Sequence, residues 1–253
     1  MQPENGDGRS GRRRALAAIA ALLAAGCAQP PPAGGRGEPP RGSGFRLQNF
    51  AKGDLDMVAE VHARESFATL RVLTVKLYKR NPREWRRGGQ PGLEAAVARL
   101  FDTNTTWIFP ELEGRQGTDA IHLAFREDFA GDRVLAFMGG LSRMVAAAFN
   151  DKTEFYLTDE LDPQKLYNAA RNCEMAAWKL ANSRNAAGQL FLLSNELDWN
   201  NRNLSFEREF GRLIGQLDLL SVIMAERSGR TVVKVVINLA TGLFLPVPVP
   251  VAR

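Results

Sequence analysis

The chain has 253 residues, of which 45% are hydrophobic and 24% are charged, and its formal net charge at pH 7 is +5. It contains two cysteines and two histidines, which are too few for a disulfide framework or a histidine-rich metal site. The length is sufficient for one domain with a sizeable buried core.

The N-terminal residues show three parts in the order typical of an export signal. The arginines at residues 12–14 form a cationic end, and residues 15–25 form an apolar run. This run is too short to span a bilayer, which needs about 20 residues. It ends in the sequence LLAAGC at residues 22–27. These residues resemble the signal that ends at the acylated cysteine of bacterial lipoproteins, although Ala24 stands where leucine is more frequent.

The resemblance implies that residues 1–26 are a signal peptide and that the thiol of Cys27 carries a diacylglyceryl anchor. Ala28, rather than an aspartate, follows the cysteine, and this resembles the sorting signals of the outer membrane. We therefore expect a lipoprotein of the bacterial cell envelope, held on the periplasmic face of the outer membrane. The alternatives are an ordinary secretory signal with a chance cysteine, a twin-arginine signal at residues 13–14, and a cytoplasmic protein with an apolar N-terminus.

Residues 27–45 are rich in proline and glycine, which predicts a flexible tether between lipid and domain. Residues 1–45 carry six of the 33 Lys and Arg residues and three of the 28 Asp and Glu residues, so 27 basic and 25 acidic residues remain, a net charge of about +2. This near neutrality gives no reason to expect nucleic-acid binding. We expect one helical domain at residues 46–245 and an extended tail of prolines and valines at residues 246–253.

Six segments predict helices, most of them through apolar side chains at steps of three and four residues. They are residues 55–79, 93–101, 119–129, 132–150, 163–180 and 205–227. Asp162 and Pro163 suit the cap and the first position of the fifth helix. Within that helix, Cys173 falls on the apolar face, so we expect its thiol to be buried.

Glycines occur in pairs inside two of these helices, where each costs about 1 kcal/mol relative to alanine. Gly139 and Gly140 predict either the close approach of another helix or a bend. Gly211 and Gly215 lie four residues apart, which predicts that a neighbour packs closely against the sixth helix.

Two segments are less regular. Residues 79–87 contain one lysine and four arginines. We interpret them as a solvated loop or, alternatively, as a contact for anionic lipid headgroups or cell-wall phosphates. Residues 102–118 predict an irregular stretch in which Trp107, Ile108 and Phe109 pack back over the core.

The C-terminal part contains two ambiguous segments. Residues 189–194 predict a short strand or a buried loop. In residues 231–244, Lys234, Asn238 and Thr241 lie at steps of four and three, which favours a helix although the valines suggest a strand. The chain as a whole predicts an all-α fold: a single-domain, irregular helical bundle of about six to seven helices, with at most a minor strand pair.

Acid–base chemistry has one candidate site. His122, with Glu127 and Asp128, would form a catalytic cluster if a carboxyl group with a raised pKa faced a cleft. The alternative is an ion-pair network that joins two helices, to which Arg126 and Arg133 would contribute.

Other polar sets favour structural roles. His62 and Glu65 share a helix face in the reverse order of the Glu-x-x-His pairs of di-metal bundles, so we expect a histidine held by a neighbouring carboxylate. The acidic residues at 154–162 precede a helix, where negative charge is favourable, and they lack the pattern of a calcium loop. We expect no metal and no cofactor, since the sequence has no phosphate-binding loop, dinucleotide fingerprint, nucleophile elbow or paired C-x-x-C.

These observations favour a non-enzymatic role. The protein would be a lipid-anchored envelope protein that acts as an interaction or structural module and binds a protein or a cell-wall component, with the lipid on Cys27 as its membrane contact. One alternative is an envelope hydrolase that uses the acidic residues. Another is a carrier of a small apolar ligand or lipid, in a cavity lined by Phe137, Leu141, Leu213 and Leu217.

Overall fold

The computed structural model describes residues 53–102, 106–196, 203–235 and 237–249. These residues form seven α-helices and no β-strand, which confirms the predicted all-α fold. The helices are α1 (Asp54–Arg80), α2 (Pro82–Arg87), α3 (Leu93–Phe101), α4 (Gly117–Leu123), α5 (Arg133–Ala148), α6 (Pro163–Asn182) and α7 (Ser205–Ser228). The predicted signal peptide, Cys27 and the tether lie outside the described residues.

Helix α5 forms the centre of the domain, since each of its residues is buried. Helices α1, α4 and α6 pack against it, and the ring of Phe137 lies 5.6 Å from that of Phe125 and 6.5 Å from that of Phe210, measured between centroids. The core also contains the four residues considered for a carrier cavity, each completely buried: Phe137, Leu141, Leu213 and Leu217. No helix among the described residues combines the length and the apolar character needed to cross a bilayer.

The two glycine pairs have opposite surroundings. A Cβ on Gly140 would lie 2.5 Å from the carbonyl oxygen of Gly117 and 2.9 Å from the amide nitrogen of Ile121, so α4 crosses α5 at this point and the predicted close approach is confirmed. Within the domain the prediction for Gly211 and Gly215 is wrong, because a Cβ on either would have no neighbour within 4 Å among the described residues. Both glycines lie on the exposed side of α7.

Helix α4 ends at Leu123, six residues before the predicted end at Phe129. The reason is the guanidinium of Arg133, which donates hydrogen bonds to the carbonyl oxygens of Ala124 (2.7 Å), Arg126 (2.8 Å) and Phe129 (2.8 Å). Because three carbonyl groups of this segment bind the same guanidinium, the backbone after Leu123 forms a loop around it. The arginine therefore replaces the last turns of the predicted helix.

The prediction of a solvated loop for residues 79–87 is wrong, because α1 extends to Arg80 and α2 begins at Pro82. Proline suits the first position of a helix, where the missing N–H has no partner to lose. The strand alternative for residues 189–194 is also wrong. Leu190 makes one isolated bridge to Arg184, and Leu192 is buried within an irregular loop.

The predicted helix at residues 231–244 is wrong as well. The described part of this segment is irregular at residues 231–235 and contains one short 3-10 helix, Leu239–Thr241. Side chains of α6 bind its backbone in reciprocal pairs. Gln164 binds both the N–H and the carbonyl of Val233 at 2.8 and 3.2 Å, and Asn172 binds both groups of Leu245 at 2.6 and 2.8 Å. Backbone groups held in this way are not free for a helix.

Candidate functional site: an arginine-lined cleft

The structure gives the three predicted catalytic residues separate partners. His122, in the last turn of α4, packs edge-on against the ring of Phe244 at 4.9 Å, and partial burial together with the charge of Lys179 lowers its pKa. Glu127 accepts a hydrogen bond from the backbone N–H of Ala186 at 3.3 Å. Asp128 is exposed and accepts a hydrogen bond from Arg126 at 2.9 Å, which lowers the pKa of its carboxyl group.

The other polar sets have structural contacts. His62 bonds through Nδ1 to the carbonyl oxygen of Gln216 in α7 at 3.0 Å, whereas Glu65 pairs with Arg64, so the neighbouring carboxylate does not hold the histidine as expected. Asp162 caps α6 through the N–H of Gln164 at 2.9 Å, as predicted. Among the described residues, no three His, Cys, Asp or Glu side chains are grouped as metal ligands would be.

A cleft of about 710 Å³ lies beside α2 and the N-terminus of α5. One wall comes from the end of α1 and from α2, and the facing wall comes from the loop after α6. The lining residues are Arg80, Asn81, Pro82, Arg83, Glu84, Arg87, Glu127, Arg133, Asn185, Gln189, Leu190, Phe191 and Leu193. We call this site the arginine cleft, since four arginines and two glutamates are its charged residues.

Two buried carboxylates fix the first wall to α5. Glu84 accepts the N–H of Arg133 at 2.8 Å, and Asp132 accepts that of Leu135 at 2.9 Å, so both satisfy free N–H groups at the start of α5. The hydroxyl of Tyr78 donates a third bond, to Asp132 Oδ2, at 2.8 Å. The end of α1, helix α2 and the start of α5 are thereby joined into one support for the cleft.

The facing wall is a loop held through backbone groups. Asn81 binds both the N–H and the carbonyl of Leu193, each at 2.8 Å. Within the loop, the N–H of Asn185 donates to the carbonyl of Gln189 at 2.8 Å. The ring of Phe191 stacks on the guanidinium of Arg133, whose carbon lies 4.7 Å from the ring centroid. The wall therefore presents amide and apolar side chains opposite the arginines.

The charges in the arginine cleft are not balanced. Arg80 pairs with Glu196 at 3.2 Å, and Arg87 pairs with Glu84 at 2.9 Å. Arg133 donates its guanidinium bonds to carbonyl groups instead of to a carboxylate. Arg83 is exposed, and its side chain makes no hydrogen bond or ion pair with any other residue that the structure describes. The arginine cleft therefore has a net positive charge, and the guanidinium of Arg83 is available to bind a ligand.

No family model, curated protein or solved structure matches this chain. The site therefore rests on its own geometry. The arginines of the first wall are visible in the sequence as a cluster. That Arg133 binds the loop between α4 and α5 and lines the cleft was not predicted from the sequence. An arginine directly after the capping residue of a buried helix was the available signal, whereas nothing in the sequence marks Asn185 or Phe191.

The buried carboxyl of Asp132 makes stability depend on pH. Burial raises its pKa from 3.8 to about 6, although its bonds to Leu135 and Tyr78 oppose the shift. Because the pKa is higher in the folded state, the folded protein binds this proton more tightly than the unfolded chain does. The stability gained from the protonated carboxyl of Asp132 is therefore complete below about pH 4 and is lost as pH rises through 6. Asparagine does not ionise, so the free energy of unfolding of Asp132→Asn should rise by about 2 kcal/mol relative to that of the original chain as pH goes from about 4 to 7.

Urea unfolding of both chains across this pH range measures the difference. The matched control is Asp128→Asn, because the pKa of this exposed carboxyl is lowered rather than raised. As pH rises over the same range, the free energy of unfolding of Asp128→Asn relative to the original chain should change only slightly and in the opposite direction. A pH-independent difference for Asp132→Asn would show that burial does not raise this pKa.

Proposed function

We propose that the protein is a lipid-anchored, non-catalytic envelope protein whose helical domain binds an acidic segment of a protein partner in the arginine cleft. The observation that carries this proposal is the available guanidinium of Arg83 within a cleft whose other arginines leave a net positive charge. The anchor follows from the lipoprotein-like signal that ends at Cys27.

The composition of the arginine cleft favours a peptide over a compact phosphate. Glu84 and Glu127 are part of the lining and would repel a ligand that concentrates several negative charges on one group. Arginine binds carboxylates with two parallel hydrogen bonds. Gln189 and Leu190 add an amide and an apolar side chain, which suit the backbone and neighbouring side chains of an acidic peptide. The volume is also in the range of about 300–1,000 Å³ typical of ligand pockets.

The non-catalytic part of the proposal is supported by the candidate acid–base residues. His122, Glu127 and Asp128 each have other partners, and Asp128 is held by Arg126 with a lowered pKa. A carboxyl group that acts as a general acid at neutral pH needs a raised pKa. The proposed role therefore consists of binding the partner and holding it at the membrane, without a catalytic step.

One experiment in cells tests anchor and cleft together. A periplasmic reporter with an oligoglutamate tag should sediment with the membranes when the full chain is present, because the chain would bind both lipid and tag. Cys27→Ala should move the chain and the reporter to the soluble fraction. Arg83→Gln should leave the chain in the membrane pellet but lower the bound reporter about tenfold, the equivalent of one charge-assisted bond.

Arg64→Gln is the control, because Arg64 is an exposed arginine of α1 outside the arginine cleft. It should leave reporter binding unchanged. Equal losses for Arg64→Gln and Arg83→Gln would indicate general charge attraction and would contradict a specific cleft. Continued sedimentation of the Cys27→Ala chain would contradict the anchor.

A further inference from the structure

Helix α7 has an outward side that the rest of the domain leaves uncovered. Leu219 and Val222 are each 55% exposed on this side, although leucine and valine are usually buried. Gly211 and Gly215 precede them at steps of four residues, and no described residue lies within 4 Å of the place where a Cβ would stand on either. Steps of three and four place all four residues on one face, which we call the α7 outer face.

Helix α1 lies beside α7. It runs antiparallel to α7, as shown by the ion pair between Asp56 and Arg227 at one end (3.2 Å) and that between Lys76 and Glu209 toward the other (3.0 Å). Its outward side exposes further apolar side chains. These are Met57, Val61 and Val72. Two adjacent helices thus each present apolar residues to solvent.

Charges at the two ends of the α7 outer face have opposite sign. Arg208 and Arg212 are exposed near the start of α7, where both lie close to Glu209. Glu226 is exposed near the end of the helix, and its carboxylate makes no ion pair with the other described residues. Arg208 and Glu226 are about 27 Å apart along the axis at 1.5 Å per residue.

This charge pattern is complementary to itself. If two α7 helices pack antiparallel about a two-fold axis between Gly215 and Leu219, Arg208 of each copy lies opposite Glu226 of the other. The same register places each Leu219 opposite the other copy's Gly215, which has no side chain to obstruct it. A two-fold interface uses the same patch on both subunits, so such self-complementarity is its requirement.

We propose that the α7 outer face binds a second copy of this chain in an antiparallel two-fold dimer. The face suits a second copy better than an anionic lipid surface, because its arginines and glutamates balance and give no net attraction to anionic headgroups, whereas Glu226 gains an arginine partner in the dimer. The inference is independent of the proposed ligand of the arginine cleft. In a dimer, two lipid anchors would hold one particle more firmly than a single chain does.

The test measures the mass of the purified full chain in detergent micelles by sedimentation velocity over a range of concentrations. We expect a dimer that dissociates on dilution. Leu219→Glu should raise the dissociation constant at least about tenfold, because it places a charge in the apolar centre. Leu243→Ser is the control, since Leu243 is an exposed leucine on the segment that follows α7, and it should leave the mass unchanged.

A charge exchange tests the register of the dimer. Arg208→Glu and Glu226→Arg should each raise the dissociation constant by several-fold, and the double variant should restore it. These surface substitutions leave the core intact, and thermal unfolding checks this. A monomer at all concentrations overturns the proposal, as does a dimer that the single and double variants leave unchanged. A membrane-binding role for the α7 outer face would also contradict the proposal. It would appear as a monomeric chain together with weaker binding to phosphatidylethanolamine–phosphatidylglycerol vesicles when Leu219→Glu is introduced into the Cys27→Ala chain.

Discussion

Replacing Gly140 with alanine should lower the free energy of unfolding by about 3 kcal/mol. The added methyl group would lie 2.5 Å from the carbonyl oxygen of Gly117 and 2.9 Å from the amide nitrogen of Ile121. Both are backbone atoms of α4, so the whole helix has to shift before the methyl group fits. Urea unfolding followed by circular dichroism measures the loss.

Gly139→Ala is the matched control on the same helix. A methyl group there would meet the ring of Phe109 at 3.1 Å, and a ring edge can move by a few tenths of an ångström. Alanine also has a higher helix propensity by about 1 kcal/mol, which offsets the shift. The two variants should therefore differ by more than about 2 kcal/mol. Equal losses would contradict a specific crossing at Gly140.

Replacing Arg133 with methionine should cost about 3 kcal/mol or more, because it leaves the carbonyl groups of Ala124, Arg126 and Phe129 without their buried donor. Arg133→Lys should restore little, since one ammonium group cannot reproduce the two separated nitrogens that reach these oxygens. Hydrogen exchange gives a second measurement. The loop between α4 and α5 should lose protection in both variants before the core of α5 does.

Arg126→Met supplies the comparison within the same loop. Arg126 forms an exposed pair with Asp128, and exposed pairs contribute little to stability because water screens them. Its loss should thus be a fraction of that for Arg133→Met. If the two variants were equally stable, the three carbonyl bonds would not be what shapes the loop.

Much of the fold could be predicted because its signals are local. The apolar spacing of residues 205–227 and the cap at Asp162 depend on residues within a few positions of each other, and both agree with the structure. The end of α4 depends on Arg133, and the path of the C-terminal segment depends on Gln164 in α6. Such tertiary contacts override local propensity and leave no periodic pattern in the sequence.

The arginine cleft shows the same limit. Its arginines at residues 80–87 were visible as a cluster, but the facing wall is contributed by a loop about 100 residues later in the chain. Loop residues such as Asn185 and Phe191 have no spacing that marks a wall. The glycines of α7 could not be interpreted correctly either, because their spacing is the same whether the face they form is covered or open.

The reciprocal bonds between α6 and the C-terminal segment also imply an order of assembly. Gln164, Tyr167 and Asn172 bind the backbone of Val233, Val235 and Leu245 through side chains that line up only when α6 is helical. The segment consequently has no template until α6 is helical, so we expect it to dock after α6 has formed.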